Sequence, residues 1–586
     1  MSSLRPVQDP THRQPGAAAT ALLVAVVVVG GGGLWVSMRV GTALSGVHQQ
    51  VPANPAAIAV DLAHKRLHWP PEATIVAVTL GVLVAAMAVG VAVGVHRYRR
   101  NRARVDDAAR HLGRGRELSS ISAKGAARTA TRLGITAAAP GVQIGVPVTG
   151  GAMTYGSWED LHCDIWGPRT GKTTSRVIPA ILDAPGAVIT TSNKRDVVDA
   201  TRGVRAGKGS TVWVFDPQKV ALEEPSWWWN PLSWVSDEVK AADLAQHFAA
   251  GDDGIDAKKD AFFDPEGQDL LASLLLAAAV ADRPITQVYT WVADPSDDES
   301  VHLLRAAGYT LIADGLSGQY NAPDKQRGGV FGTAKKMVRS LKISALHPWI
   351  TPHGAQDGRP QFDPREFVDS GATLYSLSRE GNGSAGPLVT ALTVAVIEAA
   401  EEKATRSAGG RLPVPMLAAL DETANVVRWA QLPSLYSHYG SRGIVIMTIL
   451  QSWAQGCATW GTEGMKKLWS AANIKVYGGG VAETDFLRDL SELVGDHFQL
   501  TGTVNSSRQG RSVSQQRSKE RTLTVKDLQA LPRGRAVVLS SGNPATLVRT
   551  VPWMDGPHAA AVHASIAAYD PAARGGRPSG TNPLLG

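Results

Sequence analysis

The sequence predicts an α/β protein with a parallel sheet, interrupted by an all-helical segment and preceded by two transmembrane helices. Three observations predict this class. An apolar run, Cys163 to Trp166, leads into a turn containing Gly171-Lys172-Thr173 and then into a helical pattern from Val177 to Leu182. Later apolar runs alternate with helical patterns in the same way, which is typical of βαβ units. Near the amino terminus, the apolar runs 17–38 and 73–95 contain no charged residue.

Length and composition narrow the class of protein. A chain of 586 residues is too long for one core, and roughly three or four units are expected. The hydrophobic content of 44% and charged content of 19% suit a globular protein with membrane-embedded segments. A net charge of +7 permits contact with nucleic acid or anionic lipid without requiring it. The two cysteines, Cys163 and Cys457, have no pairing or metal-site spacing, which argues against a disulfide framework and a cysteine-ligated metal.

Each amino-terminal apolar run has the roughly 20 residues that cross about 30 Å of hydrocarbon. The first run follows Arg5 and Arg13, so a cleaved signal peptide is the alternative for it. A buried soluble helix is the alternative for the second. Five arginines directly follow the second run: Arg97, Arg99, Arg100, Arg102 and Arg104. By the positive-inside rule everything beyond residue 96 is cytoplasmic, which predicts a two-pass protein of the plasma membrane.

The expected organisation places one α/β domain around an insertion. Its parts are a disordered start (1–16), a transmembrane region (17–96), a basic juxtamembrane linker (97–140), an α/β domain in two pieces (141–236 and 349–555), an inserted all-α domain (237–348) and a tail (556–586). In the α/β domain a hairpin is predicted over 141–151, strands over 187–191, 212–215, 372–377, 416–420, 443–450, 473–477 and 537–540, and a long helix over 385–404. A strand is considered at 287–292, and 503–520 is predicted to be a flexible loop because it is rich in Ser, Gln and Arg.

The turn after the first apolar run is predicted to bind nucleotide phosphates. Its expected ligands are Gly167, Pro168, Arg169, Thr170, Gly171, Lys172, Thr173 and Thr174. Gly171 keeps side chains away from converging backbone N–H groups, Lys172 brings charge to the β- and γ-phosphates, and Thr173 offers a hydroxyl to Mg²⁺. The usual pattern has a glycine where this chain has Trp166, with Gly167 one position later. The alternative is a Gly-rich strand-to-helix turn without a ligand.

Acidic residues at a second strand end supply the other half of a nucleotide hydrolase. Asp421 and Glu422 directly follow the predicted strand 416–420. Asp421 is expected in the Mg²⁺ shell, and Glu422 is expected to orient and polarise the attacking water. Gln451 ends the neighbouring strand, where its amide is predicted to sense the γ-phosphate. The alternatives are a helix cap for the Asp-Glu pair and a plain polar strand end for Gln451; together with Lys172, the pattern favours an ATP hydrolase with ATP and Mg²⁺ as cofactors.

Three further features have two interpretations each. Arg442 lies in the turn before the strand 443–450 and is either an arginine that reaches the γ-phosphate of a neighbouring subunit or a solvated turn residue. The basic cluster is either a nucleic-acid backbone contact or a solvated loop; its members are Arg508, Arg511, Arg517, Lys519 and Arg521. The run Trp227-Trp228-Trp229 is either a stacking surface or, as we expect, packing against the helical insertion.

These motifs, in this order and spacing, resemble the coupling proteins of conjugative type IV secretion systems, the TraG/TraD family. The resemblance extends from about residue 141 to 550. It is carried by Gly167-Pro168-Arg169-Thr170-Gly171-Lys172-Thr173, Val177-Ile178-Pro179, Phe215-Asp216-Pro217, Trp229-Asn230-Pro231-Leu232, Phe262-Phe263-Asp264, Asp421-Glu422-Thr423-Ala424-Asn425, Ser441-Arg442-Gly443-Ile444 and Gln451-Ser452. Two amino-terminal spans before the motor domain fit the family arrangement.

The resemblance implies a membrane-anchored, hexameric RecA-like ATPase. It also implies that the cytoplasmic all-α domain helps to recognise a relaxase bound to DNA, expected to be single-stranded, and that the protein delivers this substrate to components of a secretion channel. Two other functions remain open. One is a double-stranded DNA translocase of the FtsK type, although no DNA-reading winged-helix module is recognised after residue 550. The other is a membrane receptor that binds nucleotide as a switch and recruits protein cargo without turnover, which Lys172, Asp421 and Glu422 disfavour.

Overall fold

The structure, a computed structural model, describes residues 15–100, 103–252, 260–379, 385–507 and 510–572. Its contacts divide the chain into two compact units, Met1–Ala103 and Arg104–Gly586. The predicted disordered start (1–16) lies outside the described residues except for Pro15 and Gly16, which belong to a helix, and the part of the predicted tail beyond residue 572 also lies outside them.

Three helices form the amino-terminal unit: α1 (Pro15–Ser45), α2 (Pro55–Ala63) and α3 (Pro71–Arg100). Gly41 of α1 lies against the start of α3, where a Cβ on Gly41 would come within 2.4 Å of the Ala73 backbone, so only glycine permits this approach. Within the described residues one helix, Pro71–Gly90, is long and apolar enough to cross a membrane. The predicted second span falls on it. The predicted first span lies in α1, largely on residues whose side chains are not described, and the two-pass topology stays a prediction.

The larger unit is built on a mixed sheet of eleven strands, in the order β2-β1-β13-β12-β9-β3-β8-β7-β4-β6-β5. The seven strands from β9 to β5 are parallel, while β12, β13, β1 and β2 extend the sheet with antiparallel pairings. The strands are β1 (Val142–Pro147), β2 (Thr154–Gly156), β3 (His162–Ile165), β4 (Val188–Ser192), β5 (Val212–Phe215), β6 (Thr373–Leu377), β7 (Met416–Leu420), β8 (Ile444–Leu450), β9 (Ile474–Tyr477), β10 (Asp496–Ser507), β11 (Gly510–Arg521), β12 (Arg535–Ser540) and β13 (Thr546–Arg549). The central strands are short apolar runs because both of their faces are covered: every residue of β3, β4, β6, β7 and β8 is buried.

Helices cover the sheet and form a separate all-helical part between β5 and β6. They are α4 (Ala123–Arg132), α5 (Ile178–Asp183), α6 (Asp196–Gly207), α7 (Glu238–Asp252), α8 (Phe263–Val280), α9 (Thr286–Ala293), α10 (Glu299–Ala306), α11 (Thr310–Tyr320), α12 (Asp324–Met337), α13 (His347–Ile350), α14 (Pro364–Ser370), α15 (Gly386–Arg406), α16 (Thr423–Val426), α17 (Leu432–Tyr439), α18 (Trp453–Ala471), α19 (Thr484–Val494), α20 (Val525–Gln529) and α21 (Ala559–Tyr569). The predicted mixture of a parallel sheet with an all-helical insertion is therefore present.

The strand considered at 287–292 is wrong, because this segment is helix α9. Its buried residues are Val288, Trp291 and Val292. The spacing of three and four places them on one helical face, whereas a strand would alternate. The expected packing of the tryptophan run is found: the Trp227 ring lies 5.8 Å from that of Trp349 in the helical part, edge to face.

Residues 104–140 are folded onto the sheet and do not form an extended linker. Leu118 and Ile121 share a core cluster with Trp166 and Val538. Arg535 holds this segment with two bonds to Asp106, at 2.7 and 2.8 Å. The predicted tail also contains ordered structure, since Val562 of α21 joins a cluster with α5 and α6.

The predicted flexible loop at 503–520 is wrong. In its place β10 and β11 pair antiparallel over twelve positions, from Asp496↔Arg521 to Ser507↔Gly510, as a separate two-stranded ribbon. Side chains at directly opposed positions of an antiparallel pair share a face. The register therefore places Arg517, Lys519 and Arg521 on one face, and the opposed Gln499 and Ser518 on the other. Arg508 of the predicted basic cluster lies outside the described residues, and the side chain of Arg511 is not described. Composition alone concealed the strands because Ser, Thr and Gln suit a solvated ribbon as well as a loop.

Candidate functional site

Three strand ends meet at the carboxyl edge of the parallel sheet. Ile165 of β3 pairs in register with Leu450 of β8, and Leu420 of β7 pairs with Thr448. The loop after β3, the acidic pair after β7 and Gln451 after β8 are therefore neighbours. One strand, β8, separates the strand that precedes the Gly-Lys-Thr loop from the strand that precedes Asp421.

The loop after β3 exposes backbone in the way that an anion requires. Gly171 adopts a left-handed φ of 99°, which favours glycine. The Thr170 hydroxyl donates to the Gly167 carbonyl at 2.5 Å, and the Thr174 hydroxyl donates to the Gly171 carbonyl at 3.1 Å. These short internal bonds fix the curvature of the loop. Pro168 and Arg169 are exposed at its tip.

Trp166 occupies the position where a loop glycine is usual, and the structure shows why that is possible. Its side chain is fully buried in a cluster with Ile144 and Val476. A Cβ on Gly478 would come within 2.1 Å of its ring. Trp166 therefore belongs to the sheet, and the loop begins at Gly167. There a Cβ would lie 2.1 Å from the Gly480 carbonyl oxygen.

Lys172 contacts both acidic residues. Its Nζ donates to Asp421 Oδ1 at 2.8 Å and also to Glu422 Oε1. Burial lowers the pKa of the Lys172 ammonium, but the two carboxylates outweigh it and raise that pKa above the ordinary value. Burial raises the pKa of Asp421, Lys172 lowers it, and the nearby charges of Glu422 and Asp196 raise it further. One cation thus compensates two buried anions at this edge.

Glu422 is held in one orientation by its neighbours. Gln451 Nε2 donates to Glu422 Oε2 at 2.6 Å, and Asn425 Nδ2 donates to the same oxygen at 3.4 Å. Gln455 joins the two donors, since it bonds Asn425 Oδ1 at 2.7 Å and the Gln451 backbone N–H at 2.9 Å. The Glu422 backbone is left-handed, with φ 56°. Such a conformation is costly for a residue other than glycine and persists only where the surroundings impose it.

Thr173 and Asp421 form an oxygen pair suited to Mg²⁺. The Thr173 hydroxyl lies 3.4 Å from Asp421 Oδ2. Two adjacent ligands of an octahedral magnesium ion, bonded at about 2.0–2.1 Å, lie roughly 3 Å apart. The pair therefore fits the ion with a small adjustment. Among the described residues no group of three or more His, Cys, Asp and Glu side chains is placed to hold a metal.

A buried arginine anchors the helical turn that follows the loop. Arg176 lies in a π-helical turn, Thr173–Val177, and is wholly buried. Its guanidinium bonds Asp164 at 2.7 and 3.3 Å, the Gln143 carbonyl and His162 Nδ1 at 3.0 Å. Burial raises the pKa of Asp164 while Arg176 lowers it. The loop is thereby tied to the middle of β3 and to β1.

Sequence reasoning missed four of these residues. Arg176 and Asp164 had a signal, since a charge within an apolar strand requires a partner. Asn425 and Gln455 had none beyond their proximity to Glu422 and Gln451, because their contacts depend on where α16 and α18 begin.

Arg442 lies at the opposite edge of the sheet from the loop within one chain, because it precedes β8 and Gln451 follows it. Its Nη1 donates to Thr405 Oγ1 at 2.8 Å, and its Nε pairs with Glu401 at 3.4 Å. Any role at a γ-phosphate therefore requires a neighbouring subunit, and this assignment stays a prediction.

Comparison with known proteins adds one family match. Residues 415–533, which carry Asp421, Glu422, Arg442 and Gln451, match a family model described as the TraM recognition site of TraD and TraG. The resemblance to TraG/TraD coupling proteins is confirmed.

Solved structures similar to this chain include two of the plasmid coupling protein TrwB. One, in complex with the GTP analogue GDPNP, has 15% identity and a TM-score of 0.45, covering 67% of this chain and 86% of that chain. The other, in complex with ADP and Mg²⁺, has 15% identity and a TM-score of 0.43, covering 62% and 85%. VirB4 of Thermoanaerobacter pseudethanolicus has 12% identity and a TM-score of 0.40, covering 72% and 98%. No curated protein matches the chain.

Proposed function

We propose that the protein is a membrane-anchored ATPase that recruits a relaxase–DNA substrate and delivers it to a type IV secretion channel. One observation carries the enzymatic part: hydrogen bonds join residues from three strand ends, with Lys172 bound to Asp421 and Glu422, and Gln451 bound to Glu422. The family match, which includes the strand before Asp421 and Glu422, supports the coupling role.

In this proposal each residue has a part in ATP hydrolysis. Backbone N–H groups of the loop and the Lys172 ammonium hold the phosphates, and Thr173 with Asp421 holds the magnesium ion. That ion supplies charge compensation at the phosphate oxygens. When Lys172 turns from the carboxylates to the phosphates, Glu422 Oε1 becomes free to accept a proton from water. Gln451 keeps the Glu422 carboxylate in place through its 2.6 Å bond, so the acceptor is oriented before the water arrives.

The substrate side of the proposal rests on charge. The ribbon face that carries Arg517, Lys519 and Arg521 suits a phosphate backbone. Near its base, Arg517 lies over the Phe498 ring at 3.7 Å, and Phe498 is exposed. A cation beside an exposed aromatic ring is a common element of single-strand binding surfaces. The TraM-recognition description of the matched family supports a protein partner from the DNA-processing complex on the same segment.

Phosphate release by the purified, detergent-solubilised full chain tests the enzymatic part. Glu422→Gln should bind ATP with near wild-type affinity and lose hydrolysis by about 100-fold or more, because the amide cannot accept the proton. Glu398→Gln is the control, since Glu398 is also an ion-paired glutamate, at 2.7 Å to Lys240, but is less buried than Glu422 and lies outside the site. Wild-type turnover in Glu422→Gln would reject the active-site assignment. A wild-type protein that binds ATP without releasing phosphate would support the nucleotide-switched receptor instead.

A further inference from the structure

Arg533 lies beside the phosphate loop, next to Gly171. Arg533 Nε is 3.9 Å from the position that a Cβ on Gly171 would take, and Thr174 Oγ1 is 3.6 Å from the same position. Arg533 is exposed. Among the described residues no carboxylate or carbonyl group pairs with its guanidinium. It is therefore a cation directed at the rim of an anion-binding loop without an anion of its own.

The turn that carries Arg533 is braced against the loop. A Cβ on Gly479 would lie 2.9 Å from the Leu531 carbonyl oxygen, and the Gly479 carbonyl accepts the Gly167 backbone N–H at 2.9 Å. The Tyr477 hydroxyl donates to the Leu528 carbonyl at 3.1 Å. The end of β9 thus holds both the start of the phosphate loop and the turn after α20. Arg533 is placed by buried contacts although its side chain is exposed.

The nearby Arg535 has a structural role instead. Arg535, two residues on, is committed to the Asp106 ion pair and its side chain is largely buried, with 11% exposed. The two arginines differ in that only Arg533 keeps its charge available at the surface. Within the described part of the chain, Arg533 therefore makes no ion pair that would give it the structural role of Arg535.

We propose that Arg533 is an additional ligand of the nucleotide phosphates, supplied by the same subunit at the α- and β-phosphate end. The proposal rests on the proposed nucleotide binding. Lys172 and Thr173 face the carboxylates and so mark the β- and γ-phosphate end. Arg533 lies against Gly171, in the part of the loop whose backbone N–H groups would hold the α- and β-phosphates. A contact there is made equally to ADP and ATP, so it contributes to binding and not to the hydrolytic step.

The test measures affinity and turnover separately. For the full-length protein, Arg533→Ala should weaken ADP and ATP binding by the same factor, about 10-fold or more, since a hydrogen bond to a charged group is worth roughly 10–100-fold. The value of kcat at saturating ATP should stay within about twofold. Arg533→Lys, which keeps the charge and loses the planar fork, should lie between the two. Arg549→Ala is the control, because Arg549 is an exposed arginine on the adjacent strand β13.

Competition by inorganic tripolyphosphate identifies the group that is contacted. Arg533→Ala should weaken tripolyphosphate as much as ATP; if only ATP is weakened, the contact is to the nucleoside and the phosphate assignment is wrong. Unchanged affinity, or a fall in kcat with affinity preserved, also overturns the proposal while leaving the ATPase proposal intact. A wild-type protein that binds no nucleotide overturns both.

Discussion

Replacing Lys172 by methionine tests the charge balance of the site in the absence of nucleotide. Lys172 Nζ lies 2.8 Å from Asp421 and also contacts Glu422, and the three side chains are 12%, 4% and 3% exposed. Methionine keeps most of the length of the side chain and removes its charge. Lys172→Met therefore leaves two buried carboxylates without their cation.

The expected loss of stability is about 3 kcal/mol. A charge pair at 2.8 Å is worth about 6 kcal/mol at an effective dielectric constant near 20, most of it offset by desolvation. Removing one partner of a buried pair costs about 3–5 kcal/mol, and the lower end applies because a buried carboxylate escapes part of the cost by taking up a proton. The unit Arg104–Gly586 has about 480 residues, so an unfolding entropy of about 2.1 cal/mol/K per residue converts this loss into a Tm lower by about 3 °C.

Thermal unfolding of the nucleotide-free protein at pH 8 measures this loss. Lys172→Met should unfold about 3 °C below the wild type. The triple variant that adds Asp421→Asn and Glu422→Gln should recover most of the difference, because no buried charge is left. The folded-state pKa of Asp421 is raised by burial, so its ionisation opposes folding as pH rises from about 4 through the folded pKa. The deficit should therefore shrink toward pH 4. A Lys172→Met protein as stable as wild type at pH 8, or a triple variant no more stable than the single one, would refute the reasoning.

Three other predictions concern DNA, pH and assembly. Replacing Arg517 and Lys519 by glutamate should weaken single-stranded DNA binding and reduce the magnitude of the slope of log K against log salt by about 1.4. The control variant places two glutamates on the opposite face of the ribbon, at Gln499 and Ser518. An equal effect of the control would argue against a specific binding face. Burial and the Arg176 charge lower the pKa of His162 well below its ordinary value of 6.5, so the unfolded chain takes up this proton first and stability falls as pH drops below about 6.5. The free energy of unfolding of the wild type should therefore fall by about 1 kcal/mol more than that of His162→Gln between pH 7.5 and 5.5, measured by denaturant unfolding. A difference between the two proteins that stays constant with pH would contradict this. Mixing Arg442→Ala with Lys172→Ala proteins should restore part of the ATPase activity if Arg442 acts on a neighbour's site, since an arginine supplied by a neighbour is worth about 10³–10⁵ in rate; no recovery in demonstrably mixed rings would leave Arg442 as the partner of Glu401 alone.

The buried strands of the sheet could be predicted because a short apolar run between polar turns is compatible with few other structures. Met416–Leu420 and Val212–Phe215 are found with the bounds that their apolar runs predict, since five or four apolar residues flanked by polar turns fit a buried strand and little else. The contact of Lys172 with Asp421 and Glu422 also follows, because the carboxyl ends of parallel strands meet at one edge.

The errors have a common physical origin in sequences that suit two structures. The 287–292 segment is rich in β-branched and aromatic residues, and tertiary packing in the helical part overrode that preference. Ribbon residues 496–521 carry too few apolar side chains to signal strands. The position of Arg533 could not be predicted for a different reason. It depends on the close contact between Gly479 and Leu531, two distant segments of the chain, which a local sequence pattern does not encode.

At position 422 the residue types that suit the left-handed backbone best differ from the residue type that the proposed hydrolysis needs. Glycine or asparagine would suit φ 56° better than glutamate, since a left-handed conformation costs an ordinary L-residue about 1–2 kcal/mol. Each would also remove the carboxylate that Gln451 orients. In homologues that are no longer selected for the proposed ATP hydrolysis, this position is therefore expected to change first, because the replacement stabilises the fold while it removes the carboxylate. The residue found at position 422 in homologous sequences would then distinguish copies that keep the proposed activity from copies that have lost it.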